Sequence, residues 1–332
     1  MSISNVIIFG ATGSVGAYAA LALKARGHNV IAVGKRKSDN GFFEDHGITY
    51  YSIDITNDLN FSRLEGEKIN AVLHLAGAMP AKMAGYDPEK YIDTICKGTF
   101  NVLEFSRKIH ADKIIFSQTR ADSNHLMGGK KPIPSDIVKS FPKTGDHAVY
   151  TICKNFSVDL IEHYHHQYGI QHFVFRLPTI YGYHPDMSFY VNGVKKKIAY
   201  WEMILKAMKG ETLEIWGDPH KEKEIFYVKD MAQVISLAVE SETGGGIYNV
   251  GHGYGVTLEE QIKGIANVFS PKDQPVDIVY CPDKPDGRQF IHNVDKLKRE
   301  LNFEPWYDYI GMLHDIKTEM QKQVFSKIWP VV

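Results

Sequence analysis

The feature that most constrains this chain lies in its first sixteen residues. Val6-Ile7-Ile8-Phe9 is a short apolar run, and Gly10-Ala11-Thr12-Gly13-Ser14-Val15-Gly16 follows it at once. An Ala- and Leu-rich stretch over 14–26 then reads as a helix. Glycines at GxxGxxG spacing let the backbone turn sharply and approach a pyrophosphate closely. The following helix start offers free N–H groups and a partial positive charge to that anion. Gly10, Thr12, Gly13, Ser14, Val15 and Gly16 are therefore a candidate phosphate cradle. A tight turn that needs glycine only for its geometry is the plainer alternative. The position directly after the first strand of a βαβ pattern favours the dinucleotide reading.

The alternation continues. Val30-Ile31-Ala32-Val33, Tyr50-Tyr51-Ser52-Ile53, Ala71-Val72-Leu73-His74-Leu75, Ile114-Ile115-Phe116 and Phe173-Val174-Phe175 are further apolar runs, mostly separated by helical patterns. Continuous apolar strands between helices imply a parallel sheet covered on both faces. From Tyr183 the rhythm loosens, with breaks at Trp216-Gly217-Asp218-Pro219 and Gly244-Gly245-Gly246. Helical patterns persist near 200–209, 229–240, 257–269 and 294–301. The expected class is α/β: a Rossmann-like, doubly wound parallel sheet over 1–182, to which 224–242 returns. A smaller mixed α/β substrate-binding part would come from 183–223 and 243–332.

Bulk properties exclude some functions. The formal net charge of -1 over 332 residues gives no excess of positive charge for nucleic acid or an anionic membrane. No apolar run approaches the roughly 18 residues needed to span a bilayer. Cys96, Cys153 and Cys281 show no paired spacing, which argues against a disulfide framework or a cysteine zinc site. The start lacks the basic residues of a secretory signal, and a cytoplasmic protein is expected. His163, His165 and His166 read as a solvent-facing cluster, so no metal is expected.

Two local patterns point to chemistry. After the second strand, where NAD sites usually carry an acid for the ribose 2′-hydroxyl, the chain has Gly34-Lys35-Arg36-Lys37. Opposite charges at about 4 Å attract by about 4 kcal/mol at an effective dielectric of 20, before screening. Lys35 and Arg36 thus favour the 2′-phosphate of NADP over NAD, unless they form a solvated basic loop. Asp54-Ile55, after the third strand, would hold the adenine edge, or Asp54 would cap a helix.

The second pattern is Tyr150-Thr151-Ile152-Cys153-Lys154. Spacing of i, i+4 at a helix start puts Tyr150 and Lys154 on one face. A phenol with a pKa of about 10 must fall about three units to act as a base near neutrality. A nearby ammonium and a positive nicotinamide can supply that, and Lys154 would also reach the nicotinamide ribose. Thr119, with Ser117 as second choice, ends the fifth strand at the carboxyl edge where ligands bind in such sheets. It would hydrogen-bond the reacting hydroxyl.

With these patterns in order, the chain resembles the extended short-chain dehydrogenase/reductase family, and within it the NAD-dependent epimerase/dehydratase branch. Further matches are Val72-Leu73-His74-Leu75-Ala76-Gly77, Gly98-Thr99-Phe100-Asn101-Val102-Leu103-Glu104, Arg176-Leu177-Pro178-Thr179-Ile180-Tyr181-Gly182, Ile225-Phe226-Tyr227-Val228-Lys229-Asp230 and Pro285-Asp286-Gly287-Arg288. The resemblance implies that Leu75, Ala76 and Gly77 line the cofactor and that Pro178 lies along the nicotinamide. Tyr150 would be the acid/base, Lys154 its partner and Thr119 the hydrogen bonder. Arg288 would grip the diphosphate of a nucleotide-sugar, with Lys223 as a second substrate contact. The chain departs from the pattern at four points. The acid after strand two is absent, Ile95 replaces an Asn and bends or rebonds the helix there, and Lys223 replaces an Arg. Arg120-Ala121 replaces the Asp-Glu that serves dehydration, which argues against that reaction.

The resemblance thus implies an NAD(P)-dependent 4-epimerase of a nucleotide-diphosphate sugar, acting as a homodimer. An NADPH-dependent reductase of a nucleotide-4-keto-sugar, a reductase of small carbonyls and a non-enzymatic NADP sensor are the alternatives. The retained Tyr-Lys pair disfavours the sensor.

Overall fold

The computed structural model describes residues 3–64, 66–129, 131–191, 193–285, 287 and 289–330. Seven strands form one sheet: β1 (Asn5–Phe9), β2 (Asn29–Gly34), β3 (Thr49–Ser52), β4 (Ala71–His74), β5 (Lys113–Thr119), β6 (Gln171–Leu177) and β7 (Gly245–Asn249). Every pairing in it is parallel, in the order β7-β6-β5-β4-β1-β2-β3. The chain therefore builds outward from β1 in one direction and from β4 in the other. The crevice at their carboxyl ends is the switch point where such sheets bind ligands.

The unbroken apolar run of β1 follows from burial on both faces. Val6 and Ile8 join a cluster with Ala17, Tyr18 and Ala20 of α1 (Ser14–Ala25). Ile7 and Phe9 point the other way, into a cluster with Val102 and Phe105 of α2 (Gly98–Lys108) and Val158 and Ile161 of α3 (Asp146–Tyr168). The small side chains Ala17, Ala19 and Ala20 are fully buried and let α1 lie close to the sheet. α4 (Val228–Glu240) packs beside α1. The two helix ends are tied by Arg26 Nε and Nη2 donating to Glu240 at 2.7 and 2.6 Å.

Two local features bear on the sequence reading. Gly245–Asn249, within the segment assigned to the smaller part, is the seventh strand of the sheet, in register with His172–Arg176. The Gly-Gly start that reads as a linker is required by close approach. Gly245 has φ +81°, and a Cβ there would lie 2.2 Å from the His172 carbonyl oxygen. Near Ile95 a π-helical turn, Ile92–Lys97, leads into α2, which is the altered bonding expected at that departure.

The remaining elements are short pairs and helices, including Leu258–Phe269, whose start carries a capping box of Thr257 and Glu260. After the last helix, Tyr309–Lys322, the chain returns to the amino-terminal turn. Phe325 packs on Tyr18, with ring centroids 4.5 Å apart, and Trp329 Nε1 donates to the Thr12 carbonyl at 3.0 Å. No helix among the described residues is long and apolar enough to cross a membrane.

Candidate active site

The glycine turn fits the pyrophosphate of a dinucleotide. Gly10 has φ +92°, and a Cβ there would meet the Ala76 backbone nitrogen at 2.7 Å. A Cβ at Gly16 would meet the Gly10 carbonyl oxygen at 2.2 Å, so the first turn of α1 lies directly against the loop. Gly13 caps α1 without a side-chain hydrogen bond, and the first turn carries no acid. Ser14, Val15 and Gly16 lie in this turn, where backbone N–H groups have no intrahelical acceptor. Anion binding at such a terminus needs no other donor.

The adenosine end is arranged differently from the sequence expectation. Lys35 Nζ pairs with Asp54 Oδ2 at 2.7 Å. Asp54 Oδ1 accepts from the Thr56 N–H and hydroxyl at 3.1 and 2.9 Å, and these bonds hold its carboxyl below the usual range. The Arg36 guanidinium donates to the Ile328 carbonyl of the C-terminal segment, and the Tyr50 hydroxyl donates to the Arg36 carbonyl at 2.6 Å. Both Lys35 and Arg36 thus already have a protein partner. Ile55 is buried, its carbonyl accepting from Asn101 Nδ2 at 2.8 Å, and its side chain fills the space a Cβ on Gly98 would take. Leu75 N–H extends the β1–β4 pairing by donating to the Phe9 carbonyl at 2.9 Å. Ala76 and Gly77 follow at the cleft, and Pro178 is buried directly after β6.

The structure brings Thr119, Ser117, Tyr150 and Lys154 together. α3 begins at Asp146, so Tyr150 and Lys154 stand one and two turns inside it. Lys154 Nζ donates to the Ser117 carbonyl at 2.7 Å, approaches its hydroxyl at 3.4 Å, and lies over the Phe116 ring at 4.3 Å. Burial pushes this ammonium down to about 7. Tyr150 is pushed up to about 12 by burial, opposed by a hydrogen bond with the Thr119 hydroxyl. The Lys154 ammonium is held by the Ser117 carbonyl of β5. The protein's own groups set the tyrosine beside a hydroxyl donor; lowering its pKa needs additional positive charge.

Several residues that fix this geometry were given no role of their own in the sequence reading. Gln118 Nε2 donates to Asn155 Oδ1 at 3.0 Å while its Oε1 accepts from the Thr119 N–H at 2.8 Å, locking β5 to α3. Asp122 is fully buried and accepts from Arg176 Nε at 2.9 Å and Nη2 at 3.0 Å. Arg176 Nη1 completes its bonding on the Ser135 carbonyl and Asn249 Oδ1. His74, fully buried, bonds to the Thr99 hydroxyl at 2.9 Å through Nε2, and burial pushes it down to about 3. Cys96 and Cys153, unrelated by spacing, pack in one cluster and are free thiols.

On the substrate side, Lys223 Nζ lies 5.5 Å from the Tyr181 ring centroid. Arg288 lies outside the described residues. A surface cavity of about 800 Å³, lined by Asn70, Lys113, Gln171 and Glu240, is at the amino end of the sheet and includes none of the candidate residues.

A parallel sheet with a glycine turn after its first strand, and with Lys154 of α3 bonded to the end of β5, is a nucleotide-binding type of α/β fold. The chain belongs to the NAD dependent epimerase/dehydratase family, whose model matches residues 6–251. Among curated relatives, the UDP-glucuronate 4-epimerase of Thermodesulfobacterium geofontis is 26% identical over 270 residues, covering 80% of this chain and 77% of the relative. The dTDP-glucose 4,6-dehydratase of Salmonella typhimurium is 25% identical over 296 residues, covering 82% and 78%. Among solved structures, the UDP-glucose 4-epimerase of Thermotoga maritima with UDP-glucose has a TM-score of 0.75 at 24% identity, covering 96% of this chain and 99% of that one.

Proposed function

We propose that the chain is a nucleotide-sugar 4-epimerase working on a retained NAD. The observation that carries this reading is the Thr119–Tyr150–Lys154–Ser117 cluster at the carboxyl end of β5. When bound, the dinucleotide supplies a reversible hydride acceptor and a positive ring. Gly10, Gly13 and Gly16, with the N–H groups of Ser14 and Val15, would hold its pyrophosphate. Lys154 would hold its ribose, and Ala76, Gly77 and Pro178 would flank it. Tyr150 takes the proton of the sugar hydroxyl as the carbinol is oxidised and returns it after the keto sugar has turned over. Thr119 holds the same hydroxyl in line. Arg120-Ala121 offers no acid/base pair for eliminating water, so the dehydratase activity of some relatives is not proposed here.

NAD is proposed over NADP because Lys35 and Arg36 are engaged by Asp54 and Ile328. Retention is supported by the C-terminal segment, which bonds to the glycine turn and to the loop after β2 through Trp329–Thr12 and Arg36–Ile328. The keto-sugar reductase remains the second reading, favoured only by the presence of those two cations. Denaturing the purified protein and identifying the released nucleotide separates them. Near-stoichiometric NAD is expected; a protein that carries none and takes up NADPH from solution would replace epimerisation with reduction. A homodimer is proposed through α2 and α3, on which Phe100, Ile152 and Phe156 are 46–47% exposed. Sedimentation at twice the chain mass would agree, and a monomer would not.

A further inference from the structure

Arg120 stands immediately after Thr119, where the dehydratase pattern carries an acid. It opens the turn Arg120–Leu126, and its environment is unusual for a guanidinium. It lies over the Phe290 ring at 4.5 Å, and Nη1 donates to the Met127 thioether at 3.2 Å. Burial lowers its pKa from the ordinary value, and the Tyr181 hydroxyl is near enough to act on it electrostatically. A thioether is a weak acceptor, and a guanidinium has five N–H donors. Among the described residues no carboxylate pairs with Arg120.

Neighbouring carboxylates are already committed. Asp122, two residues on, is bound bidentately by Arg176. Glu224, beside Lys223, accepts from the Gly253 N–H at 3.0 Å and is bonded to His292 Nδ1 at 2.5 Å. Lys223 adds a second positive charge on the other side of the cluster, over the Tyr181 ring. Its strand residue pairs with Phe290, the residue under Arg120. The turn is also held firmly: Ser123 Oγ donates to the Arg120 carbonyl at 2.7 Å, and Asp122 anchors it to β6. A desolvated cation fixed in place without an anion is costly unless a ligand supplies one.

We propose that Arg120 reads a carboxylate on the sugar, so that the preferred substrate is a nucleotide-diphosphate uronic acid rather than a neutral hexose. This rests on the nucleotide-sugar reading above and deepens it. Arg120 follows Thr119, whose hydroxyl bonds to Tyr150, so it serves the reacting end of the ligand and not the nucleotide end. A planar guanidinium matches a carboxylate through two parallel hydrogen bonds, and a neutral hydroxymethyl group in the same place would leave those donors without a charge.

The test is equilibrium binding to the cofactor-loaded protein by calorimetry, with UDP-glucuronate, UDP-glucose and UDP as probes. The wild type is expected to bind the uronate on the order of 10- to 100-fold more tightly than UDP-glucose. Arg120→Gln should erase that difference while leaving UDP and UDP-glucose unchanged, and Arg120→Lys should keep part of it. Thermal melting of each variant confirms that it is folded, and removal of a desolvated charge is expected to leave the melting temperature unchanged or higher. Equal affinity for both sugars in the wild type would overturn the proposal. So would an equal weakening of all three probes by Arg120→Gln, because the diphosphate would then be the anion read. Selective uronate binding without conversion at C4 would instead overturn epimerisation and leave Arg120 in its assigned role.

Discussion

The turn after β5 has two sides, and their polar groups are treated in opposite ways. On the side facing the sheet and β7, Gln118, Asn155, Asp122, Arg176 and Asn249 are buried and bonded to one another. On the side facing the cleft, Lys154 bonds to Ser117 and lies over Phe116, and Arg120 has a thioether and an aromatic face. Each side contains an arginine, Arg176 buried and Arg120 partly so, and among the described residues only Arg176 is paired with a carboxylate. A saturated network fixes a backbone, whereas donors left open beside it are directed to a ligand.

Breaking the saturated side should have the largest effect. Asp122→Ala leaves Arg176 buried without its anion and is expected to cost about 3–5 kcal/mol of stability. Denaturant unfolding would show this as a lower midpoint with an unchanged slope. A near-neutral result would mean that the turn is held by other contacts and that the contrast between its sides has no energetic content.

A smaller effect should appear on the cleft side, as a pH dependence. The folded pKa of Lys154 lies at about 7, below its ordinary 10.5. Between these values the unfolded chain binds the extra proton, so this group's contribution to stability rises with pH across that window. Below about 7 both states are charged and the burial penalty is present in full; above 10.5 it is gone. Cofactor-free protein should therefore gain stability from pH 7 to 10 relative to Lys154→Met, as read by melting temperature. Parallel profiles for the two proteins would show that Lys154 is not desolvated as the structure has it.

Much of the fold was legible because doubly covered strands are written as continuous apolar runs. Strands β1 to β6 were found within a few residues of their ends. Strand β7 was not, because Gly245 and Gly246 are needed for close approach to β6 and look like a linker. In the candidate site, the i, i+4 spacing brought Tyr150 and Lys154 to the same face, and the strand end located Thr119. What spacing does not carry is environment. The ammonium's choice of the Ser117 carbonyl over the phenol depends on how α3 sits on β5. The partners of Lys35 and Arg36 come from loops and from a segment nearly 300 residues later. Arg120 was visible as a departure from the family pattern, but that it has no carboxylate partner among the described residues appears only once Asp122 and Glu224 are seen to be engaged elsewhere.

The central claim is that Tyr150, set beside Thr119 on the open side of this turn, moves the proton in a reversible oxidation at the sugar's C4. The direct measurement is interconversion of UDP-glucuronate and its C4 epimer, followed by proton NMR, for the wild type and Tyr150→Phe with cofactor content checked in both. The expected result is interconversion without net change in the cofactor, reduced on the order of 10²- to 10⁴-fold by the substitution while the fold and bound cofactor are kept. Turnover unchanged in Tyr150→Phe would contradict the account.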